Sequence, residues 1–167
     1  AALGTPIVTA ASVALLLAAG SLAFSLGASG QISDYFVNKL LDRMFRGQAY
    51  SHAATAYLAA LQAGGGEVGG GVGYARKPLA SSMAALSGTQ APGSTSASSG
   101  STGRSSNNGS LVFDDPTASW GDIDRLQVLD APSGGNVLWT KALTATKSIG
   151  VGVPLSFLPD SLGFSFS

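Results

Sequence analysis

His52 is the only histidine of the chain, and it follows Ser51. A serine nucleophile needs a histidine base that is itself oriented by an acid. Nothing around His52 builds such a set, and the nucleophile-elbow pattern G-x-S-x-G does not occur. His52 is therefore read as a turn or surface residue. Five aspartates, Asp114, Asp115, Asp122, Asp124 and Asp130, cluster in sequence. Carboxylates can hold calcium, but the EF-hand spacing is missing. Paired acids for glycoside hydrolysis need an enclosed cleft and a set separation, which the residue order does not announce. These aspartates are read as acids that cap turns and face water. Gly64, Gly66 and Gly69 match G-x-G-x-x-G literally, but a dinucleotide site needs a strand before them and a helix after, and here more glycines follow. No G-K-[ST] phosphate loop is present, and the chain has no cysteine, so disulfides and thiolate metal sites are excluded. The expectation is a protein with no catalytic residue, no cofactor and no metal site, and not an enzyme.

The residues with the clearest structural pattern lie between Ser110 and Trp139. Leu111, Val112 and Phe113 form an apolar run with strand propensity. Asp114-Asp115-Pro116 ends it, since proline fixes φ and offers no N–H to a ladder. In Ile123–Asp130, Leu126 and Val128 alternate against Arg125 and Gln127, the period of a half-buried strand. Pro132-Ser133-Gly134-Gly135 is a turn signal. Asn136–Ala142 resumes the pattern, with Val137, Trp139 and Lys141 on one face and Leu138 and Thr140 on the other. The expectation is a β-hairpin in which Trp120 and Trp139 anchor the core.

Elsewhere the elements are shorter. Ser33–Arg46 reads as a helix, with Ser33 as cap, Asp34 in the first turn, arginines at the end and Gly47 past it. Val37, Leu40, Leu41 and Met44 recur at helical spacing, so the helix is expected to pack this stripe on a sheet. Ala54–Leu61 reads as a strand around Tyr57 and Leu58, and Tyr74-Ala75-Arg76 as the entry to another, with Arg76 at its margin. The glycines between them serve tight turns and close packing. Ser81–Ser110 is rich in Ser and Gly, which predicts a long loop. Ser148–Ser167 predicts two final strands separated by Pro159-Asp160.

Residues 1–30 carry no charge. Pro6–Leu26 is long enough to cross a bilayer, at about 20 residues. No Lys or Arg flanks it on the N-terminal side, no aromatic belt precedes it, and the basic start of a signal peptide is missing. Its many small residues let it lie close against another backbone. It is read as an arm that packs on neighbouring subunits, with Ile7, Val13, Leu16, Leu17, Leu22 and Phe24 as the partner-binding residues. A membrane-anchored surface protein using residues 6–26 is the alternative of another class.

The composition fits this reading. Only 11% of the 167 residues are charged and the formal net charge is zero, against about a quarter charged in ordinary soluble domains. Such a chain has little with which to hold nucleic acid, and little charge to keep copies apart. Abundant glycine, alanine and serine with low charge point to a surface covered by partners. The fold expected is mainly β: a β-sandwich-like single domain over residues 31–167, with a Ser/Gly-rich loop at 81–110, one N-terminal amphipathic helix and an extended arm over residues 1–30.

Four stretches carry a resemblance. They are NKLLDRMFRGQAY at Asn38–Tyr50, EVGGGVGYAR at Glu67–Arg76, FDDPTASWGDIDRLQVLDAPSGGNVLW at Phe113–Trp139 and ALTATKSIGVG at Ala142–Gly152. In order and spacing they resemble a family of small bacteriophage structural proteins, variously labelled tail fibre or capsid and scaffold proteins. Residues 1–30 fall outside the shared pattern, and the stretch from Ser81 to Asn108 is longer than it. The resemblance implies a virion structural protein with a β-sandwich-like body. With the uncharged arm and low charge, it leads to a capsid decoration (cement) protein on the capsid exterior as the first expectation. Its partners would be the major capsid protein and copies of itself, with neither nucleic acid nor membrane. A tail, baseplate or fibre component, contacting tail proteins, is the alternative of the same class.

Overall fold

In the computed structural model, which describes Leu22–Ala23 and residues 30–88, 97–99 and 103–165, the predicted hairpin is the centre of the molecule. Strands β7 (Gly121–Leu129) and β8 (Val137–Ile149) pair antiparallel, with Leu126 opposite Lys141 and Val128 opposite Trp139. Leu129 then pairs with Val137, so Leu138 is an extra residue on β8. This bulge turns Val137 away from the face of Trp139, and the strict alternation read from the sequence fails there for that reason. β3 (Thr55–Gln62) adds to the other side of β7, β4 (Lys77–Ala80) closes that end, and β2 (Gln31–Ile32) pairs with β8. The five-stranded order is β2-β8-β7-β3-β4. Pro78 sits in β4, at the sheet edge, where a missing N–H breaks no ladder bond.

Two small sheets complete the fold. β6 (Leu111–Val112) and β9 (Leu155–Phe157) pair antiparallel, with β1 (Leu22–Ala23) parallel on the far side of β9. β5 (Arg104–Ser106) and β10 (Gly163–Ser165) form an antiparallel pair. One core joins the layers: Leu58, Ala60, Leu126, Val128, Trp139 and Leu143 of the large sheet meet Phe113, Trp120, Leu155, Phe157 and Leu162. Trp120 is 1% exposed and Trp139 3%, as anchors should be. Trp120 meets Tyr74 and Phe113 edge-on, with centroids 5.1 and 5.9 Å away, and its indole N–H donates to Val72 O at 3.0 Å. Trp139 packs on Phe164 at 5.0 Å. The described residues are thus mainly β, with one helix and largely antiparallel sheets, as the sequence predicts.

The Ser/Gly-rich stretch contains structure that composition alone conceals. Ser87 Oγ lies 3.0 Å from Ser106 Oγ and accepts from the Ser106 N–H, while Ser105 Oγ donates to Ser87 O at 2.7 Å. Where only a loop was expected, hydroxyls tie residue 87 to β5. Asn107, 1% exposed, holds the final turn. Its amide donates to Leu158 O and Gly109 O at 2.8 and 2.7 Å, and its oxygen accepts from Leu162 N–H at 2.8 Å. The two final strands expected around Pro159-Asp160 are β9 and β10, but Ile149 belongs to β8 and Val151 is an exposed turn residue.

Helix α1 (Asp34–Phe45) starts as predicted: Ser33 Oγ accepts from Phe36 N–H at 3.1 Å, and Gly47 follows the end with φ 67°. Its packing corrects the expectation. None of its residues is buried. Leu40 is half-buried, but Val37, Leu41 and Met44 are exposed. The reason is how the helix is tethered. Ser33 N–H donates to Leu138 O at 3.1 Å and Ser33 Oγ donates to Val137 O, which fixes the first turn on the start of β8. Phe36 and Leu40 then face the body, with the Phe36 ring 6.1 Å from that of Tyr50. The rest of the apolar stripe turns away.

Candidate interaction surface

Of the expected partner-binding residues, Ile7, Val13, Leu16, Leu17 and Phe24 lie outside the described residues. Leu22 is in β1, where its backbone pairs with Leu155. Among the described residues no helix is long and apolar enough to cross a membrane, and the described part of Pro6–Leu26 is strand. The surface that stands out is the outer side of α1. At 100° per residue, Val37, Leu41, Met44 and Phe45 fall within about 100° of arc. They are 37, 47, 70 and 76% exposed. Tyr35, Phe36, Lys39, Leu40 and Asp42, all half-buried, occupy the opposite side. The charged residues keep off the outer stripe. Asp42 accepts an ion pair from Arg46 at 2.8 Å and Lys39 reaches over the Tyr35 ring at 5.6 Å. Asp34 stands alone as a charge on the outer side, at its N-terminal end. An exposed helix face of large apolar residues, free of cations, has the character of a protein-contact surface, and it is the candidate site of this chain.

The acidic residues singled out in the sequence do not converge on a reaction centre. Asp114 lies 3.6 Å from Lys77 Nζ, Asp122 accepts from the Ser148 hydroxyl, and Asp124 pairs with Arg125 at 2.9 Å. Asp130 accepts from Asn136 N–H at 2.7 Å and from its side-chain amide at 2.9 Å. Burial alone would raise the Asp130 pKa; these Asn136 bonds win and lower it. Among the described residues no three His, Asp or Glu come together to hold a metal ion. His52 lies in an exposed loop.

The glycine-rich stretch carries a network that sequence reasoning missed. Arg76 grips Glu67 with both forks of its guanidinium, Nε to Oε1 and Nη2 to Oε2, each at 2.7 Å. Nη1 donates to Ala131 O and Gly134 O, both at 2.8 Å. Tyr74 donates its hydroxyl to Glu67 Oε1 at 2.8 Å and accepts from Ala60 N–H at 3.0 Å. These bonds tie the glycine loop, the hairpin turn and β3 together across an open cleft of about 430 Å³. The Arg76 hydrogen bonds hold the Glu67 carboxyl below its ordinary pKa, and Glu67 in turn raises that of Arg76. Burial pushes the Tyr74 phenol up. Every polar group in this set has a partner inside the chain, so its arrangement serves cohesion. Gly73 makes the loop's approach possible. Its φ is 73°, and a Cβ there would lie 2.6 Å from Asp115 O. The readable signal was a Glu and an Arg bracketing a glycine run, with a tyrosine two residues before the Arg.

No curated protein matches the chain. A family model described as Podophage GP4 fiber I protein gp80 matches residues 31–165, a span that runs from β2 through β10 and includes α1, the hairpin and the Glu67–Tyr74–Arg76 network. The match bears out the resemblance to small phage virion structural proteins. With the fold, the cohesive polar networks and the outward apolar helix face in place, the chain is a phage structural protein of the virion, and it belongs to the podophage GP4 fiber I protein gp80 family.

Proposed function

We propose that the chain is a non-enzymatic building unit of a podophage fibre, held in the virion by apolar protein contacts through the outer face of α1. The observation that carries this reading is the stripe Val37, Leu41, Met44 and Phe45, turned away from the protein's own core. The family description supports the placing on a fibre. The low charge supports apolar rather than electrostatic attachment, since exposed ion pairs contribute only about 0–1 kcal/mol each. Residues 1–30, with Ile7, Val13, Leu16, Leu17, Leu22 and Phe24, are proposed as a second attachment. A decoration protein on the capsid exterior, contacting the major capsid protein, is the second reading; the neutral composition and the uncharged arm favour it.

The test is made on particles. Virions grown with the Leu41→Asp variant should contain at least ten-fold less of the protein than wild type by immunoblot, with the isolated variant still folded. Full incorporation would sink the helix-face reading. Gold-labelled antibody against the chain should mark the fibres; label spread over the heads would favour capsid decoration instead.

A further inference from the structure

We propose that Lys141 is the centre of an anion site that takes one carboxylate from outside the chain, bonded to the Lys141 ammonium with the Trp139 indole N–H as its second donor. The site does not involve the outer face of α1.

Three observations carry it. First, Lys141 is a cation among apolar neighbours. It alternates with Trp139 and Leu143 on the inner side of β8, opposite Leu126, and is 7% exposed. Its Nζ lies 5.9 Å from the centroid of the Trp139 ring. Among the described residues no hydrogen bond or ion pair holds this ammonium. Burial, and after it the charge of Arg104, hold its pKa below the ordinary lysine value. Arg104 repels it and is itself engaged with Asp160, Nη1 to Oδ1 at 2.7 Å and Nη2 to the carbonyl at 3.0 Å. A buried charge is costly unless it is paired. Second, the Trp139 indole N–H is buried without an acceptor, a state that native proteins leave to few groups. Two donors at successive inward positions of one strand thus lack an acceptor, and a carboxylate has two oxygens to offer. Third, the chain has no acid to spare for them. All nine of its Asp and Glu residues lie among the described residues, and none pairs with Lys141. The anion therefore comes from elsewhere. A carboxylate suits the site better than a phosphate, whose further oxygens would be left unpaired in apolar surroundings.

Two sources share this chemistry, a small free carboxylate and an acidic side chain of another virion protein, and the test has an arm for each. The first uses sodium acetate on the purified full chain. At about 0.2 M it should raise the melting temperature by about 2–4 °C over sodium chloride of the same concentration, the shift of a ligand at about five times its Kd. Lys141→Met keeps an unbranched side chain between Trp139 and Leu143 and should lose that difference, while Lys141→Arg should keep it. Lys141→Gln replaces the Met variant if the latter does not melt cooperatively. The second arm uses virions. If the source is an acidic side chain, Lys141→Met should lower the protein's content by about ten-fold or more on immunoblots, as loss of one partner of a buried charge pair does, and Lys141→Arg should restore it. An acetate shift that depends on Lys141, with normal virions, supports the free carboxylate; virions depleted by Lys141→Met and restored by Lys141→Arg support the side chain. Equal acetate responses in wild type and Lys141→Met, together with normal virion content, would overturn the proposal. So would equal responses with virions depleted alike by Lys141→Met and Lys141→Arg, since that pattern reports packing and not charge.

Discussion

Replacing Arg76 with Met removes the guanidinium while keeping an unbranched chain of similar reach. The Arg76 side chain is 8% exposed and its Glu67 partner 28%. The variant loses the two bonds to Glu67 and those to the Ala131 and Gly134 carbonyls. Removing one partner of a fully buried ion pair costs about 3–5 kcal/mol. Here the loss is smaller, because Glu67 is partly wet and keeps the Tyr74 hydroxyl, and Gly134 is exposed and its carbonyl can turn to water. An expected loss of about 2–3 kcal/mol follows, since hydrogen bonds to charged groups contribute about 1.5–3 kcal/mol. At about 2–4 °C per kcal/mol for a chain of this size, the melting temperature should fall by about 4–12 °C. Arg76→Lys should recover little, because an ammonium cannot span a carboxylate and two carbonyls in the fork geometry. Urea denaturation of wild type, Arg76→Met, Glu67→Gln and the double variant gives the coupling directly, expected at about 1 kcal/mol or more. A loss below about 0.5 kcal/mol, the size of an ordinary surface change, would refute the claim that Arg76 binds the glycine loop to the hairpin turn.

The remaining predictions concern the same body. Trp139→Ala should cost about 3–5 kcal/mol by chemical denaturation, and an unchanged midpoint would mean that the hairpin is not the core. Gly73→Ala should destabilise by more than about 1 kcal/mol, the upper size of the gain such a change brings where the backbone is compatible, because φ is positive and the Asp115 carbonyl is in the way; equal stability would show that the loop can retreat. On acidification, Glu67 has a folded pKa below its ordinary 4.5, so its contribution is present above that value and lost as pH falls through the folded one. The melting temperature should hold from neutral pH down to the ordinary carboxylate range and then drop, less steeply in Arg76→Met; identical profiles would separate the pH response from this pair. Deleting residues 1–30 should leave a folded body, since α1 and nine of the ten described strands follow it; loss of the cooperative melting transition would make the arm part of the core.

The hairpin, the helix and its caps were legible because each rests on local rules. Leu126, Val128 and Trp139 alternate, Ser33 and Gly47 mark helix ends, and Pro132–Gly135 is a turn by composition. The direction of the helix stripe was not legible. Periodicity shows that Val37, Leu41 and Met44 share a face, but which face meets the body is decided by Ser33 bonding to the Val137 and Leu138 carbonyls, about 100 residues away in sequence. The same distance hid the roles of Arg76 and Asn107, whose partners lie up to 58 and 55 residues away. A buried asparagine in a Ser-rich stretch looks like any loop residue until its four bonded neighbours are in place. Reading the stripe as core was thus sound in its spacing and wrong in its target, and the candidate surface emerged from that difference.

Pro78 on the edge strand has a consequence for how such a chain survives its own synthesis. A protein with so few charges cannot rely on repulsion to keep newly made copies from joining sheet to sheet. At the β4 edge the ring of Pro78 removes a donor that a foreign strand would need, and β4 itself offers four residues. During an infection, when virion proteins accumulate at high density, that edge is a poor template for misdirected pairing. Growth of an assembly on that side is left to side-chain surfaces, whose shape can discriminate between partners, and is withheld from backbone ladders, which accept almost any extended chain.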